Sequence, residues 1–298
     1  MDDRYTGQTG DPLHDAVYGW DYGSDDDFEV KRESPEEKRK KRRAKRNKYS
    51  KKAWQYYMDF NDEEALKYIN RALNLDKKHS KNWNKKGIIL ESLKRFEESE
   101  ECYNKSLELS HSDIVYDNRA RMLYDWAEEL IRQASFGGDV LKNLEEAKEK
   151  NTKAIEAVYS PDSKENINKY HMQERKIINL IDREKEFLKN IEILITSDKS
   201  KLFTITGRDY YNNNIHLTKN MPLKLVRDPY NKSDRDAIEV YAEGEKIGYV
   251  ANDEHTKYPM TSSASELINA VSNTAEGYFL FDLTRDSVNV FAIGRLIK

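Results

Sequence analysis

The sequence predicts an α+β multidomain protein in which an all-α helical solenoid is followed by a small, mainly-β barrel. Two observations predict this fold class. The pattern of residues 49–109 repeats with a constant offset of 34 residues, whereas from Leu202 onward it changes to short alternating runs typical of strands. We expect three segments: a disordered tail at residues 1–48, the solenoid at residues 49–198 and the barrel at residues 199–298.

The net charge of −3 conceals two oppositely charged N-terminal segments. Residues 1–30 contain nine acidic residues and one basic residue, whereas residues 31–48 contain eleven basic and three acidic residues. The first segment mixes Gly, Asp and Tyr without periodicity, so it has too little apolar surface to offset the entropy of ordering. We therefore expect an acidic and then basic tail without stable structure.

The basic run KRKKRRAKRNK, at residues 38–48, has several possible uses. It could contact nucleic-acid phosphates with release of counterions, act as an import signal in a cell that has a nucleus, or solvate the start of a helix. The acidic stretch DDDFE at residues 25–29 could pair with the run and mask it. These alternatives remain open from the sequence.

The repeat matches residues 49–75 with residues 83–109. Its period and its order of aromatic and small residues resemble the tetratricopeptide repeat, a helix-turn-helix unit whose small residues allow close packing. The stretch LKRFEESEECYNKSLEL is similar to the second helix of that family. The equivalent pairs are Tyr49 with Trp83, Ala53 with Gly87, Ala65 with Ser99, Ile69 with Tyr103, Ala72 with Ser106, and Leu73 with Leu107.

A third, longer unit is expected to follow. Residues 118–134 are predicted as its first helix, the Phe-Gly-Gly segment at residues 136–138 as an insertion, and residues 143–158 as its second helix. An amphipathic helix near residues 165–195 is predicted to cap the stack, because terminal units of a solenoid need a polar outer face.

The resemblance to tetratricopeptide repeats implies a concave groove, lined by the first helix of each unit, that binds a peptide segment of a protein partner. The set lacks the regular Lys/Asn pattern with which some family members hold a C-terminal carboxylate. Alternatively, these residues only pack the solenoid. The positions expected to line the groove are Trp54, Tyr57, Asn84, Ile88, Glu91, Met122, Asp125 and Trp126.

The C-terminal segment predicts six strands and one helix. The strands are LFTITG, PLKLV, AIEVY, KIGYV, YFLFDL and SVNVFAIGRLI. The AEGEK segment between Tyr241 and Ile247 predicts a hairpin turn, and Ser263 with Glu266 forms a capping box that opens the helix. Six short strands within residues 199–298 fit a small barrel.

Three stretches of this segment, GRDYY, MPLKLVRDPYNKSDRDAIEVY and KIGYV, resemble the HIRAN domain of helicase-like transcription factor and related repair translocases. The same domain also occurs as a free-standing module in microbes. The resemblance covers about residues 202–298 and implies a HIRAN-like, OB-related barrel. The residues at family spacing are Arg227, Asp228, Pro229, Asn231, Asp234, Ala237, Ile238 and Gly248.

The resemblance also implies nucleic-acid binding, in the best-understood relative at the 3′ end of single-stranded DNA. Here Tyr210 would stack on a base, Asn231 would bond to a base or sugar edge, and Asp234 would accept a hydrogen bond from the terminal hydroxyl. The complete expected set is Tyr210, Arg227, Asn231, Asp234, Arg235 and Tyr249.

Three positions depart from the family pattern. Asp209 stands where the relative has an arginine, Ser233 where it has an aromatic residue, and Asn252 where a lysine is expected. Two missing cations weaken the attraction for phosphate, which generally dominates affinity. In an alternative reading the loop is only structural, and Arg227 pairs with Asp234 to hold it.

Other classes of function receive no support from the sequence. No GxxxxGK[ST], HExxH or GxSxG motif occurs, so we expect no enzyme activity. A nuclease built on Asp228, Asp234 and Asp236 would need convergent carboxylates and Mg²⁺. Cys102 and six scattered histidines offer no metal-ligand spacing, and we expect neither a metal nor a cofactor.

No run of about 18 apolar residues occurs, so we expect no membrane association and an intracellular, cytoplasmic protein, nuclear only if the source cell has a nucleus. The predicted function is a non-enzymatic adaptor whose repeats bind a protein partner and whose barrel binds nucleic acid, as single-stranded DNA or a 3′ end, in DNA repair or replication. The alternative is a protein interaction scaffold without nucleic-acid binding. No motif identifies the partner, the pathway, or DNA rather than RNA.

Overall fold

The computed structural model describes residues 33–158, 164–211, 215–284 and 290–297. Within them a helical part precedes a six-stranded barrel, as predicted. The helices are α1 (Pro35–Met58), α2 (Asp62–Leu75), α3 (Ser80–Ser92), α4 (Phe96–Leu109), α5 (Asp113–Ser135), α6 (Val140–Ala157), α7 (Lys164–Thr196) and α8 (Ala264–Leu267). The strands are β1 (Leu202–Thr206), β2 (Pro222–Arg227), β3 (Ile238–Ala242), β4 (Glu245–Val250), β5 (Thr274–Thr284) and β6 (Val290–Leu296).

The small residues of the repeat lie where helices approach each other closely. A Cβ atom on Gly87 of α3 would lie 2.8 Å from the ring of Tyr103 on α4, which is fully buried. The buried Ser99 donates a hydrogen bond to the carbonyl oxygen of Gly87 (2.9 Å), and Ser106 donates one to that of Ser80 (3.0 Å). The 34-residue period therefore reflects packing between paired helices.

The predicted third unit and capping helix are present. Helices α5 and α6 form the pair, and Gly137 and Gly138 between them have positive φ angles of 104° and 83°, which glycine adopts most readily. Helix α7 packs on α6. No helix in the described part of the chain combines the length and the apolar character needed to cross a membrane.

The N-terminal boundary differs from the expectation. Residues 1–32 lie outside the described residues, but residues 35–48, expected in the disordered tail, are helical. Ser34 caps α1: its side chain accepts from the Glu37 amide, and the Glu37 carboxylate accepts from the Ser34 amide (2.9 Å). Pro35 occupies the first turn, and Lys and Arg favour helix, so the basic run extends the first helix.

The barrel is closed and antiparallel, with the strand order β1-β4-β3-β2-β5-β6. Phe203, Leu225, Ile238, Val240 and Phe279 fill its interior. The capping box of Ser263 and Glu266 is present at the start of α8.

An apolar cluster joins the helical part to the barrel. Helix α7 ends at Thr196, and a single 3-10 turn at Lys199–Lys201 leads into β1. The last turns of α7 pack on the outer side of β5 and β6, so the boundary proposed at residues 198/199 divides two parts that share an interface. The cluster includes Phe187, Ile191 and Leu194 from α7 and Leu280, Leu283 and Ile293 from the barrel.

Candidate functional site

The loop between β2 and β3, residues 228–236, is organised by the side chain of Asn231. Its Oδ1 accepts hydrogen bonds from the amides of Ser233 (3.0 Å) and Asp234 (3.1 Å), and its Nδ2 donates to Asp228 Oδ2 (3.1 Å). Asparagine side chains that bond to the backbone two or three residues later are typical of turns. The loop is therefore held in one conformation by its own residues.

Asp234 is tied to the loop and to a neighbouring segment. Its Oδ1 accepts from the amide of Asp236 (2.9 Å), and its Oδ2 accepts from Asn252 Nδ2 (3.0 Å). Asn252 Oδ1 in turn accepts from the amide (3.0 Å) and hydroxyl (2.8 Å) of Ser265 at the start of α8. A carboxylate has about four acceptor positions, so Asp234 retains acceptor capacity for a ligand.

In the described residues no ion pair joins Arg227 to Asp234, so that alternative is wrong. The Asp234 carboxylate accepts a hydrogen bond from Asn252 instead. The Nε of Arg227 is buried and has no hydrogen-bond partner among the described residues. Arg235 is exposed on the same loop.

Lys246 is the centre of a cluster on the outer face of β3 and β4. Its Nζ lies 2.5 Å from Glu239 Oε1 and 2.7 Å from the Tyr249 hydroxyl, and 4.0 Å and 5.2 Å from the ring centroids of Tyr249 and Tyr211. Burial lowers the pKa of Lys246, but its hydrogen bonds to Glu239 and Tyr249 outweigh burial and raise it. Asn231 Nδ2 also donates to the Tyr249 hydroxyl (3.3 Å), which connects the cluster to the loop.

The GRDYY stretch places Tyr210 at the edge of this cluster. Gly207, with φ 74°, turns the chain into a 3-10 turn at Arg208–Tyr210. The following ring, Tyr211, lies 6.3 Å from the ring of Tyr249, whereas the side chain of Tyr210 is 89% exposed. Tyr210 thus offers an open aromatic face beside a chain of contacts that runs through Tyr249 and Asn231 to Asp234.

The helical part carries a second polar surface on the first helix of each pair. The rings of Trp54 and Tyr57 are 5.0 Å apart, and Lys85 Nζ lies 5.4 Å from the Trp54 ring. On the next helix Asn84 Oδ1 accepts from Asn118 Nδ2 (3.2 Å), and Ile88 is half-buried.

Glu91 is the ionic centre of this surface. Its carboxylate accepts from the Tyr103 hydroxyl (2.8 Å) and pairs with Arg121 (3.1 Å). Burial and the nearby charge of Glu91 raise the pKa of Asp125 and, in the same order, that of Tyr57. The surface therefore combines the partly exposed rings of Trp54 and Tyr57 with the partly buried carboxylate of Asp125.

Family models match both parts of the chain. The HIRAN domain model matches residues 200–269, which contain the 228–236 loop and the Tyr210 turn, and the tetratricopeptide repeat model matches residues 80–112, which contain α3 and α4. The chain carries a tetratricopeptide repeat and a HIRAN domain. The HIRAN match ends before β5 and β6, which complete the barrel. These modules indicate binding of a protein partner by the repeats and of nucleic acid by the HIRAN domain.

Among curated proteins, none matches the chain. Similar solved structures include the Yersinia enterocolitica type III secretion translocator chaperone SycD in complex with a peptide of the translocator YopD, with 17% identity, a TM-score of 0.33, and coverage of 44% of this chain and 90% of that chain. The first tetratricopeptide domain of human RPAP3 is similar at 16% identity and a TM-score of 0.34, with coverage of 45% of this chain and 96% of that chain.

Two residues expected in the tetratricopeptide groove are core residues instead. Met122 is fully buried and Trp126 is 6% exposed. Trp126 stacks on Phe96 of α4, with centroids 5.8 Å apart, and Lys150 of α6 lies over its ring. The outward side of α5 is displaced by one residue, so that Arg121 and Asp125 lie there.

The 228–236 loop, the Arg208–Tyr210 turn and the Lys246 cluster are together called the HIRAN site. It also contains residues that sequence reasoning missed, namely Tyr211, Glu239, Lys246 and Asn252, which bonds to Asp234. A bulge between Val240 and Tyr241 shifts the register of β3 against β4, which brings Lys246 and Tyr249 to one face although they are three residues apart. The available signal was Gly248, because a glycine inside a strand pattern often marks a bulge or a close backbone approach.

Acidic side chains outnumber basic ones around the 228–236 loop. The acids are Asp209, Asp228, Asp234, Asp236 and Glu239, and the bases are Arg227, Lys232, Arg235 and Lys246. Lys246 is paired with Glu239, and the nearby Arg208 pairs with Asp282 at 2.9 Å. The site therefore has specific donors and acceptors but little net attraction for a polyanion.

Proposed function

We propose that the protein is a non-enzymatic adaptor whose repeats bind a peptide segment of a protein partner while the HIRAN domain binds single-stranded DNA at its 3′ end, in DNA repair or replication. The observation that carries the proposal is the 89% exposed ring of Tyr210, which lies in a turn that packs on β4. Tyr249 of that strand bonds to Asn231, whose side chain fixes the loop. Aromatic faces of this kind stack on any base, and fixed polar groups bind without a large ordering cost.

The end of the strand is recognised by Asp234 in this proposal. A 3′-hydroxyl donates to a free acceptor position of the Asp234 carboxylate, whereas a 3′-phosphate is repelled by Asp234 and by the neighbouring Asp228 and Asp236. The exposed Arg235 contacts the last internal phosphate, and the half-buried Arg227 lies at the start of the same loop. Lys246 fixes the rings of Tyr211 and Tyr249 as a second stacking surface.

The peptide partner lies in the groove of the repeats. Trp54 and Tyr57 supply apolar area for an anchoring side chain, and Asp125 supplies an acceptor that gains from a basic partner because it is partly buried beside Glu91. The proposed peptide therefore carries an apolar residue close to a basic one.

Tyr210→Ala in the full chain tests the strand-binding proposal. We expect a loss of about 1–3 kcal/mol in affinity for a linear single strand with a 3′-hydroxyl, because one stacking contact is removed. Phe136→Ala is the matched control, since Phe136 is 78% exposed on the helical part. Equal affinities of the two variants for the strand would contradict the proposal and favour the interaction scaffold without nucleic-acid binding.

A further inference from the structure

Helix α1 carries a strongly cationic surface outside the HIRAN domain. Its 24 residues include eleven Lys or Arg and two acids, Glu36 and Glu37, both in the first turn. Arg42, Arg43 and Arg46 lie three, four and seven positions after Arg39, which places the four residues on one side of the helix. We call these four residues the arginine face.

The arginine face borders a cavity of about 750 Å³ at the end of α2. Arg42 Nε donates to the carbonyl oxygen of Leu75 (2.7 Å), and Arg46, whose side chain is 11% exposed, pairs with Asp76 at 2.5 Å. These contacts hold two guanidinium groups in place at the cavity. Arg39 and Arg43 are exposed and form no ion pair within the described part of the chain.

The cavity keeps a net positive charge despite Asp76. Lys77 and His79 complete its wall. The Nδ1 of His79 is buried without a partner in the described residues, and burial followed by the charge of Arg46 lowers the pKa of His79. Guanidinium groups match phosphate oxygens with paired hydrogen bonds, so the chemistry of the cavity is that of a phosphate site.

Nucleic acid fits this surface better than a lipid membrane does. Residues 35–48 contain only Pro35 and Ala44 as apolar residues, so this half of α1 has no apolar face to insert among lipids. The HIRAN site has more acids than bases around its loop, although phosphate contacts generally supply most of the affinity for nucleic acid. The arginine face carries cations of the kind that such contacts need.

We propose that the arginine face of α1 is a second nucleic-acid surface, which binds the phosphates of a single strand irrespective of sequence and of strand ends. The proposal rests on nucleic acid being the ligand of the proposed function and assigns its phosphate contacts to the repeats. Helix α1 packs on α2 and α3, whereas α7 packs on the barrel, so the two sites lie at opposite ends of the helical stack and only a long strand contacts both.

The test uses the full chain and a circular single-stranded DNA, which has no ends. Arg39→Gln/Arg43→Gln removes two exposed cations that form no hydrogen bond or ion pair with the described residues. We expect about tenfold weaker binding at low salt, and a fall of about 1.4 in the slope of log affinity against log salt concentration, because each single-strand phosphate contact contributes about 0.7. Arg175→Gln/Lys189→Gln, on the exposed side of α7, is the control with the same change of charge and should bind as the unaltered chain does.

Three results would overturn the proposal. The first is equal binding of the circle by the arginine-face variant and the control. The second is an effect that appears only after residues 1–30 are deleted, because the acidic segment would then be the natural occupant. The third is loss of binding to anionic lipid vesicles with no change in binding of the circle.

Two linear strands that end in a 3′-hydroxyl or a 3′-phosphate separate this proposal from the end-binding proposal. Because the arginine face contacts phosphates along the strand, Arg39→Gln/Arg43→Gln should weaken binding of both linear strands and of the circle by a similar factor, whereas end recognition appears only as a difference between the two linear strands. A failure of end recognition at the HIRAN domain would therefore leave the result at the arginine face intact.

Discussion

The arginine face of α1 and the HIRAN site differ in the balance and the pairing of their charged side chains. On α1 eleven basic residues stand against two acids, and Arg39 and Arg43 form no ion pair in the described residues. At the HIRAN site the cations Lys246 and Arg208 are each committed to an acid. Phosphate contacts position a nucleic acid without identifying it, whereas contacts to bases and ends identify it. We therefore expect the arginine face to capture a strand through its phosphates and the HIRAN site to recognise its 3′ end.

The two surfaces also differ in how firmly their side chains are held. Asn231, Asp234 and Asn252 form a continuous set of hydrogen bonds across the 228–236 loop. On α1, Arg42 bonds to the carbonyl oxygen of Leu75 and Arg46 bonds to Asp76 and Asn47, whereas Arg39 and Arg43 are exposed. A fixed site discriminates between ligands by geometry, while a flexible cationic surface tolerates many strand conformations.

The largest effect is expected for Gly248→Ala. This substitution should abolish the preference for 3′ ends at the HIRAN site and leave phosphate binding by α1 unchanged. A Cβ at Gly248 would collide with the carbonyl oxygen of Thr206 on the neighbouring strand, and backbone cannot move aside as a side chain can. We expect a loss of about 3 kcal/mol or more in barrel stability and the loss of any preference for 3′ ends. Thermal melts followed by circular dichroism measure the stability, and the affinities for 3′-hydroxyl and 3′-phosphate strands measure the end preference. Binding of the circle measures the phosphate contacts that remain.

Gly244→Ala is the matched control for that substitution. Gly244 lies in the hairpin turn with φ 84° and has open space around its Cβ position, so only conformational strain is added, about 1 kcal/mol. A Gly248→Ala protein that retains its end preference would show that the 3′ end is not recognised by the folded barrel.

Asp234→Asn should have the next largest effect, on end preference alone. Hydrogen bonds to charged groups are worth about 1.5–3 kcal/mol, so the ratio of affinities for 3′-hydroxyl and 3′-phosphate strands should fall about tenfold or more. Asn252→Ala is the control, because this substitution removes the hydrogen bond from Asn252 to the Asp234 carboxylate and leaves the carboxylate in place. Equal loss of end preference in both variants would make Asp234 a structural residue.

The repeats and most of the barrel could be predicted because local packing imposes their residue types. Gly87 opposite Tyr103 admits no side chain, which is why the 34-residue offset shows at small positions. Met122 and Trp126 were assigned to the wrong side of α5, since neighbouring helical positions differ by only about 100° and each helix of a solenoid has several buried sides.

The remaining differences between expectation and structure come from contacts distant in sequence and from one local signal, a capping box. Asn252 meets Asp234 across 18 positions, and the bulge in β3 and β4 that gathers Lys246 and Tyr249 follows from pairing between strands. The helical start at Pro35 was locally encoded by the capping box of Ser34 and Glu37, but the basic run has no apolar periodicity to reveal the helix.

The smallest effect is expected in the peptide groove. Burial raises the pKa of Asp125, so its charged form destabilises the fold. This cost is absent below the unfolded pKa of about 3.9, grows as pH rises from there to the raised folded pKa, and is complete above it. Asp125→Asn should therefore raise stability by a few tenths of a kcal/mol at pH 7, after allowance for solvent screening, and leave it unchanged near pH 3. Thermal melts at the two pH values measure this, with the exposed Asp182→Asn as control; an equal gain at both pH values would contradict the account.

The division between capture and recognition is tested most directly on the unaltered full chain with three single strands of equal length and sequence: linear with a 3′-hydroxyl, linear with a 3′-phosphate, and circular. The account predicts that the 3′-hydroxyl strand binds more tightly than the other two, by about tenfold, and that all three share a similar salt slope because the arginine face contacts each of them. Equal affinity for all three strands would contradict recognition by the HIRAN domain, and a salt slope near zero for the circle would contradict capture by α1.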